Sequence, residues 1–426
     1  MNQHKLSVSV ISIHSVIEYF FALLLILQFR SIYIYCDEFR WATDRIFVFG
    51  ILLIVLICCT LKSNVSHRKV VNLMFIIVIV TIYISFHYVI KPYAFESMFK
   101  FLILIVSILI YHYLCENYDN RNELIYKYQN LICIIAFVSV VFWFFGSLLG
   151  KVHPSSIVHS SWTSSGANTV KEVASYYGLY FETQNIQFLG SFNVIRNTAI
   201  FTEGPMSSFH FVLALLIELF LRDRMSLKKV IFLILSVITT FGTIGIITAM
   251  LAITFKTILV ITSKALVDNT RKSTWGYIKI FLIPVIIIVA IVTIQLLVET
   301  RIRTRSGSTR IDDFAAGYQA WRANPIFGNG YGNARSYQQY MSPFRKTNDG
   351  FSNSIMLVLV YGGVYLLVPY LYAGITTIRN CIKKKDSKLL VFFLLYLFML
   401  TFTIGPFQAL TVYMFVSFYS WSYYNC

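Results

Sequence analysis

Charge is scarce in this sequence. Only 13% of its 426 residues are charged, and only 19 are Asp or Glu. Such a composition excludes an ordinary soluble domain, which carries about 25% charged residues. The seven cysteines are odd in number, lie mostly within or beside hydrophobic runs and form no CxxC pair. That excludes a disulfide framework and a zinc-ribbon type of site. HExxH, the phosphate loop, the dinucleotide fingerprint and any legible Ser/His/Asp arrangement are also missing. There is no internal repeat and no low-complexity segment. The short alternating segments of a transmembrane barrel are absent as well.

What is present is hydrophobic sequence, 57% of the residues. A membrane-spanning helix needs about 20 mostly apolar residues. Runs of this kind centre near Leu24, Leu53, Ile79, Ile105, Phe137, Ala214, Leu235, Met250, Ile287, Val360, Leu395 and Met414. The expectation is an all-α polytopic membrane protein of about twelve transmembrane helices, with residues 1–426 forming a single membrane domain. The first run, Ser15 to Phe29, has no small-residue cleavage site after it and is read as a retained helix. Between 229 and 262 the apolar run is nearly continuous. The polar stretch Thr239-Thr240-Phe241-Gly242-Thr243 predicts a hairpin of two helices there.

The net charge of +17 does not indicate nucleic acid, because Lys and Arg concentrate in short loops between hydrophobic runs. The positive-inside bias accounts for those loops and places both termini in the cytoplasm. Two long loops, 150–205 and 298–351, then fall on the extracytoplasmic side. Long loops translocate whatever their charge, so topology does not explain the arginines they hold.

The second loop carries Arg301, Arg303, Arg305, Arg310 and Arg322. Ile311, Phe314, Ala315, Tyr318 and Trp321 recur at helical spacing, which predicts an amphipathic helix over 309–322. Ser308 can cap it and Asn324-Pro325 ends it. It is expected to lie on the membrane surface or over the bundle, with Arg310, Asp313 and Gly317 along another face turned to a cavity and Asp312 pointing away from that face. Guanidinium groups grip phosphate oxygens in a bidentate fork. A lipid-linked pyrophosphate and an anionic headgroup both fit this cluster. Gly328, Gly330 and Gly332 permit positive φ and close backbone approach, as an ordinary turn or as a substrate-facing one. In the first loop Glu203 stands at the mouth of a span. It reads as a general base or sugar ligand, or as a surface acid paired with Arg196. Glu18, His87, Lys100, His112 and His210 fall within or near spans, where ionisable residues face the bundle interior or a wet cavity.

Arg305-Ser-Gly-Ser-Thr-Arg310, then Trp321, then Asn324-Pro-Ile-Phe-Gly328-Asn-Gly330, then Ser352-Asn353 opening a helix with Tyr361-Gly-Gly363, resembles the O-antigen polymerase and ligase superfamily. Arg196 through Glu203-Gly-Pro205 is similar to a segment preceding a span in many of its polymerases, here with Gly204 inserted. The resemblance covers about residues 190–375. It implies a fold of the membrane-embedded glycosyltransferase type at the outer face of a bacterial cytoplasmic membrane. It implies an undecaprenyl-pyrophosphate-linked glycan donor and acceptor, membrane lipids around the site, a chain-length regulator as a further partner, no nucleic acid, no cofactor and no metal. Arg305 and Arg310 are then the main pyrophosphate ligands, supported by Arg196 and Arg322. Glu203 is the first candidate base and Asp313 the second. Gly328, Gly330 and Asn353 face the substrate. The superfamily's ligases carry His-Asn where this chain has Ser352-Asn353, which favours polymerase over ligase. A lipid-linked oligosaccharide flippase is the other class considered, but the long asymmetric loops and the lack of related halves argue against it.

Overall fold

The computed structural model describes residues 2–61, 66–115, 122–162, 170–188, 192–267, 292, 295, 305–345, 350–403 and 405–424. Its membrane part is helical, because only helices and closed barrels satisfy every backbone group without water. In chain order the helices are α1 (Asn2–Gln28), α2 (Asp44–Leu61), α3 (His67–Ile90), α4 (Phe95–Ile110), α5 (Glu123–Phe142), α6 (Gly204–Leu216), α7 (Leu227–Thr239) and α8 (Thr243–Val267). Then come α9 (Arg305–Ala323), α10 (Ser354–Lys384), α11 (Ser387–Thr401) and α12 (Ala409–Tyr424). Among the described residues seven helices are long and apolar enough to cross a membrane. Ile13–Gln28 and Ser387–Thr401 are shorter apolar stretches. The run near Ile287 lies outside the described residues.

Burial separates a centre from a rim. In the span Gly204–Leu221, 94% of the apolar window is buried, against 17% in His67–Ile90. Helix α6 is therefore the post around which α5, α7 and α8 pack, while α3 turns most of its surface outward. The hairpin expected at Thr239–Thr243 is present. Helix α7 stops at Thr239, and Phe241 takes a left-handed φ of 50°.

Contacts between helix ends define two ends of the bundle. At one, Gln28 on α1 donates to Asp44 on α2 and accepts from Ala409 on α12, and Ser354 on α10 bonds Thr403 after α11. At the other, Tyr126 on α5 donates to Leu221 after α6, and Lys384 on α10 bonds Tyr423 on α12.

The first end also carries all the strands found among the described residues, which sequence periodicity left unseen. Strands β1 (Ser156–Ser160), β2 (Lys171–Tyr176) and β3 (Tyr180–Phe181) form an antiparallel sheet with Val158 opposite Val173. Strands β4 (Asn185–Phe188) and β5 (Phe192–Ile195) form an antiparallel pair. These strands stand where the first long loop was expected. Bridges Ser31↔Phe201 and Cys36↔Ser160 tie the region to the chain following α1.

Helix α10 is broken at Gly363, whose φ of 60° and ψ of −159° lie in a region open only to glycine. Such a break orphans backbone groups at membrane depth, where each unsatisfied group costs several kcal/mol. Segment 325–330 supplies the partners. Asn329 and Gly330 N–H groups donate to Val360 and Tyr361 carbonyls at 2.8 and 3.1 Å, and Val364 and Tyr365 N–H groups donate to Pro325 and Ile326 carbonyls at 2.9 Å. A Cβ on Gly328 would meet the Gly362 and Gly363 nitrogens at 2.6 Å.

Candidate functional site

The mouth of α6 is assembled from parts far apart in sequence. Glu203 is the residue before α6, held extended at φ −157° and ψ 157°. Its Oε1 lies 3.5 Å from Arg30 Nη1, with the two side chains 26% and 13% exposed. The carboxylate is thus charge-paired yet still reachable. The Arg30 guanidinium lies 4.4 Å from the centre of the Trp162 ring, and Tyr35 packs edge-on against the same ring. Sequence reasoning offered Arg196 as the partner of Glu203, but the ion pair is with Arg30. Neither Arg30 nor Trp162 was singled out. The one signal was Arg30 itself, a cation directly after the first span in a loop where the positive-inside bias does not call for one.

Arg196 is 8% exposed and runs beneath this mouth. It donates to the carbonyls of Thr240 and Phe241 at 2.8 and 3.2 Å and to Gln184 Oε1 at 3.0 Å. A cation suits the carbonyl-rich C-terminus of α7. Gln184 Oε1 also accepts from the Gly204 N–H at 3.2 Å, and a Cβ at Gly204 would collide with the guanidinium. Arg196 therefore joins β4–β5, the α7–α8 turn and the start of α6. Of the six described non-glycine residues with positive φ, three belong to this mouth: Arg30, Ala199 and Phe241. Backbone strain of about 1–3 kcal/mol per residue persists where surrounding structure enforces it, and it clusters at functional sites.

Helix α9 begins at Arg305, earlier than the expected residue 309, and its faces are used in an unexpected way. Ile311, Phe314 and Tyr318 are 60%, 53% and 46% exposed, while Asp312, Asp313, Ala316 and Ala320 are buried. The apolar stripe faces out and the small and acidic residues pack against α10. Asp313 is ion-paired with Arg345 at 2.7 Å and accepts from the Ser352 N–H and hydroxyl at 2.9 and 2.5 Å. Burial pushes its carboxyl above the ordinary value, against the pull of Ser352 and Arg345. Asp312 does not point away, as expected from the sequence. It is 7% exposed, bonded to Ser342 and 3.4 Å from Arg345. These two acids anchor the loop that returns to α10, and no signal in the sequence marked Arg345.

Arg310 is half-buried and donates to the Phe402 carbonyl at the end of α11 at 3.2 Å. Three residues on, Gly405 backs onto the ring of Phe29, next to Arg30. Residues 402, 403 and 405 thus lie between Arg310 and the Glu203 mouth. Arg322 is exposed, following Tyr318 and Trp321. The side chain of Arg305 and residues Arg301 and Arg303 lie outside the described set.

The remaining expected site residues have structural partners. Gly328 and Gly330, at φ 63° and 97°, dock on the α10 break and on Tyr93. Asn353 caps α10, its side-chain oxygen accepting from Met356 N–H at 3.0 Å. Of the intramembrane candidates, Glu18 pairs with Lys127 and Tyr111. Lys100 pairs with Asp44 and Glu96, and His210 contacts the Tyr128 hydroxyl at 2.7 Å.

Fold and site define a mostly helical membrane protein with an arginine- and carboxylate-bearing mouth at its strand-bearing end. No family model matches the chain, and no characterised protein matches it by sequence.

Proposed function

We propose that this protein is a twelve-span polymerase of lipid-linked glycans, working at the outer face of a bacterial cytoplasmic membrane. The observation that carries the reading is the reachable Glu203 carboxylate, set against the Trp162 ring and Arg30, whose own backbone is left-handed at φ 57°. Carboxylates and aromatic faces suit a sugar, and arginines suit its pyrophosphate. An acceptor hydroxyl attacks the anomeric carbon of the donor. The new glycosidic bond forms as the bond to pyrophosphate breaks, and the lipid pyrophosphate leaves. Glu203 accepts the hydroxyl proton. Arg310 and Arg196, with Arg30 added to the set, stabilise the leaving charge. Asp313, engaged by Arg345 and Ser352, positions α9 and leaves the role of base to Glu203. Arg322, on the exposed stripe, fits headgroup contact better than the reacting phosphates.

The test is the surface glycan of a deletion strain complemented with variants at matched expression. A polymerase defect leaves single repeat units. Loss of all surface glycan indicates a flippase, and carrier-bound polymer without transfer indicates a ligase; either result removes the proposal. General-base catalysis is worth about 10²–10⁴ in rate, so Glu203→Gln is expected to leave almost no ladder. Lysine cannot reproduce the bidentate fork, so Arg310→Lys is expected to shorten the ladder nearly as much as Arg310→Ala, with exposed Arg40→Ala as the control. A full ladder from Glu203→Gln would rule out the assigned base.

A further inference from the structure

The end of the bundle opposite the strands carries a second cationic site, separate from the polymerase reading. Near the C-terminus of α10, Tyr372, Thr376, Arg379, Asn380 and Lys383, with Tyr423 of α12, line a cavity of about 450 Å³. Arg379 and Lys383 are exposed, one helical turn apart, with no acid within ion-pair distance among the described residues. Like charges at this spacing repel. The helix C-terminus tolerates them, but it does not explain the cavity between them. Asn380 is oriented by a 3.2 Å hydrogen bond to Ser422.

A second cavity, of about 220 Å³, adjoins the polar rim, and Ile375 belongs to both. That second cavity is almost wholly apolar, lined by Gly374, Ile378, Phe393 and Leu397 among others, and runs between α10, α11 and α12 toward Pro406. Gly374 keeps it open, since a Cβ there would sit 3.3 Å from the Phe393 ring. A cationic, hydrogen-bonding head leading into an apolar groove is complementary to one molecule with an anionic phosphate and a hydrocarbon chain.

We propose that this is a binding site for an anionic phospholipid of the leaflet at this end. Its phosphate sits between Arg379 and Lys383, and one acyl chain lies in the groove past Ile375 and Gly374. The tyrosine and amide groups at the rim bond the glycerol and headgroup oxygens. The lipid sits beside the direct contacts that already join α10 to α12, among them the Asn380–Ser422 hydrogen bond.

The test is native mass spectrometry of the full-length protein in neutral detergent, titrated with phosphatidylglycerol or phosphatidylcholine. Two basic contacts predict that the first phosphatidylglycerol binds about 10–30-fold more tightly than phosphatidylcholine. Arg379→Gln with Lys383→Gln is expected to abolish the preference. Both side chains are exposed, so the variant is expected to fold, and an unchanged melting temperature without lipid checks this. Gly374→Leu, which fills the groove, is expected to weaken phosphatidylglycerol binding while leaving the charged rim intact. Millimolar glycerol 3-phosphate is expected not to compete. Equal binding of the two lipids, an unaffected double variant, or full competition by glycerol 3-phosphate each overturns the proposal.

Discussion

Asp313 and Arg345 illustrate why a buried ion pair is judged by what its loss leaves behind. Both are almost fully buried, 0% and 3% exposed. Breaking a buried pair by removing one partner costs about 3–5 kcal/mol, and Asp312, 3.4 Å from the same guanidinium, offsets part of that when Asp313 is lost. Asp313→Ala is therefore expected to lower thermal stability in detergent sharply, and Asp312→Ala less, because Asp312 lies farther from the guanidinium. A loss below about 1 kcal/mol for Asp313→Ala, well short of what stranding a buried charge costs, would remove the anchor role. The exposed pair Glu38–His159 makes a different, pH-dependent prediction. The hydrogen bond that His159 donates to the Glu38 carboxylate raises the imidazole above its ordinary 6.5. Burial works the other way on Glu38, but the bonds from His159 bring its carboxyl below 4.5. A raised histidine contributes while pH is below its unfolded value and stops contributing as pH climbs through the folded one. A lowered carboxylate contributes above its unfolded value and is lost as pH falls through the folded one. Docking of β1 on the Asp37–Phe39 turn is thus strongest between about pH 4.5 and 6.5. Histidine NMR is expected to place the His159 midpoint above 6.5 and to lower it in Glu38→Gln; an identical midpoint in both refutes the pairing. Little at this scale was legible in the sequence. Glu203 and Arg196 stood out because polar residues are rare here, but Arg30, 173 positions from Glu203, and Arg345, 32 from Asp313, become partners only through folding.

Elements were legible wherever a single hydrophobic run decides the structure, and less so where burial follows another rule. The hairpin at Thr239–Thr243 and the helix over most of 309–322 could be read from polar interruption and from period. The facing of α9 could not. An apolar stripe predicts a buried face only when water lies outside, and here the exposed stripe has the character of a membrane-surface helix, with Tyr318 and Trp321 suited to the interface. The strands were hidden because short polar ladders carry weak periodicity. The glycines of 328–332 were read as an ordinary turn or a substrate-facing one; Gly328 lies against the α10 break, and Gly330 and Gly332 against Tyr93 and Ala94. Gly363→Ala tests the break. It requires a conformation closed to alanine and puts a Cβ against Ile326, so a loss of about 3 kcal/mol or more is expected, seen as a lower melting temperature and early proteolysis near 325–330. A stability equal to wild type would mean that the break is not held as described.

At the scale of the whole molecule, two asymmetries run in the same direction. The strands, α9 and the Glu203 mouth gather at one end, and the short basic loops around Arg224 and Lys388 gather at the other. Basic short loops remain in the cytoplasm during insertion, and the donor pyrophosphate of the proposed reaction is on the far side. The orientation is therefore a joint test of insertion physics and proposed function. Exposed Tyr177 and Gln339 mark the strand-bearing end, and exposed Arg224 and Lys388 the opposite one. In a background lacking the seven native cysteines, single cysteines at Tyr177 and Gln339 are expected to react with an impermeant thiol reagent in intact cells. Cysteines at Arg224 and Lys388 are expected to react only after permeabilisation. Labelling of all four in intact cells would indicate a leaky preparation, which a cytoplasmic thiol protein detects. Protection of Gln339 together with labelling of Lys388 would invert the molecule and take the polymerase proposal with it, because Glu203 and the arginines would then face a compartment without the donor. Reaction at Tyr177 with protection at Gln339 would instead place β1–β3 and α9 on opposite sides, against the contacts that join Arg310 to Phe402 and Ser354 to Thr403 at the strand-bearing end.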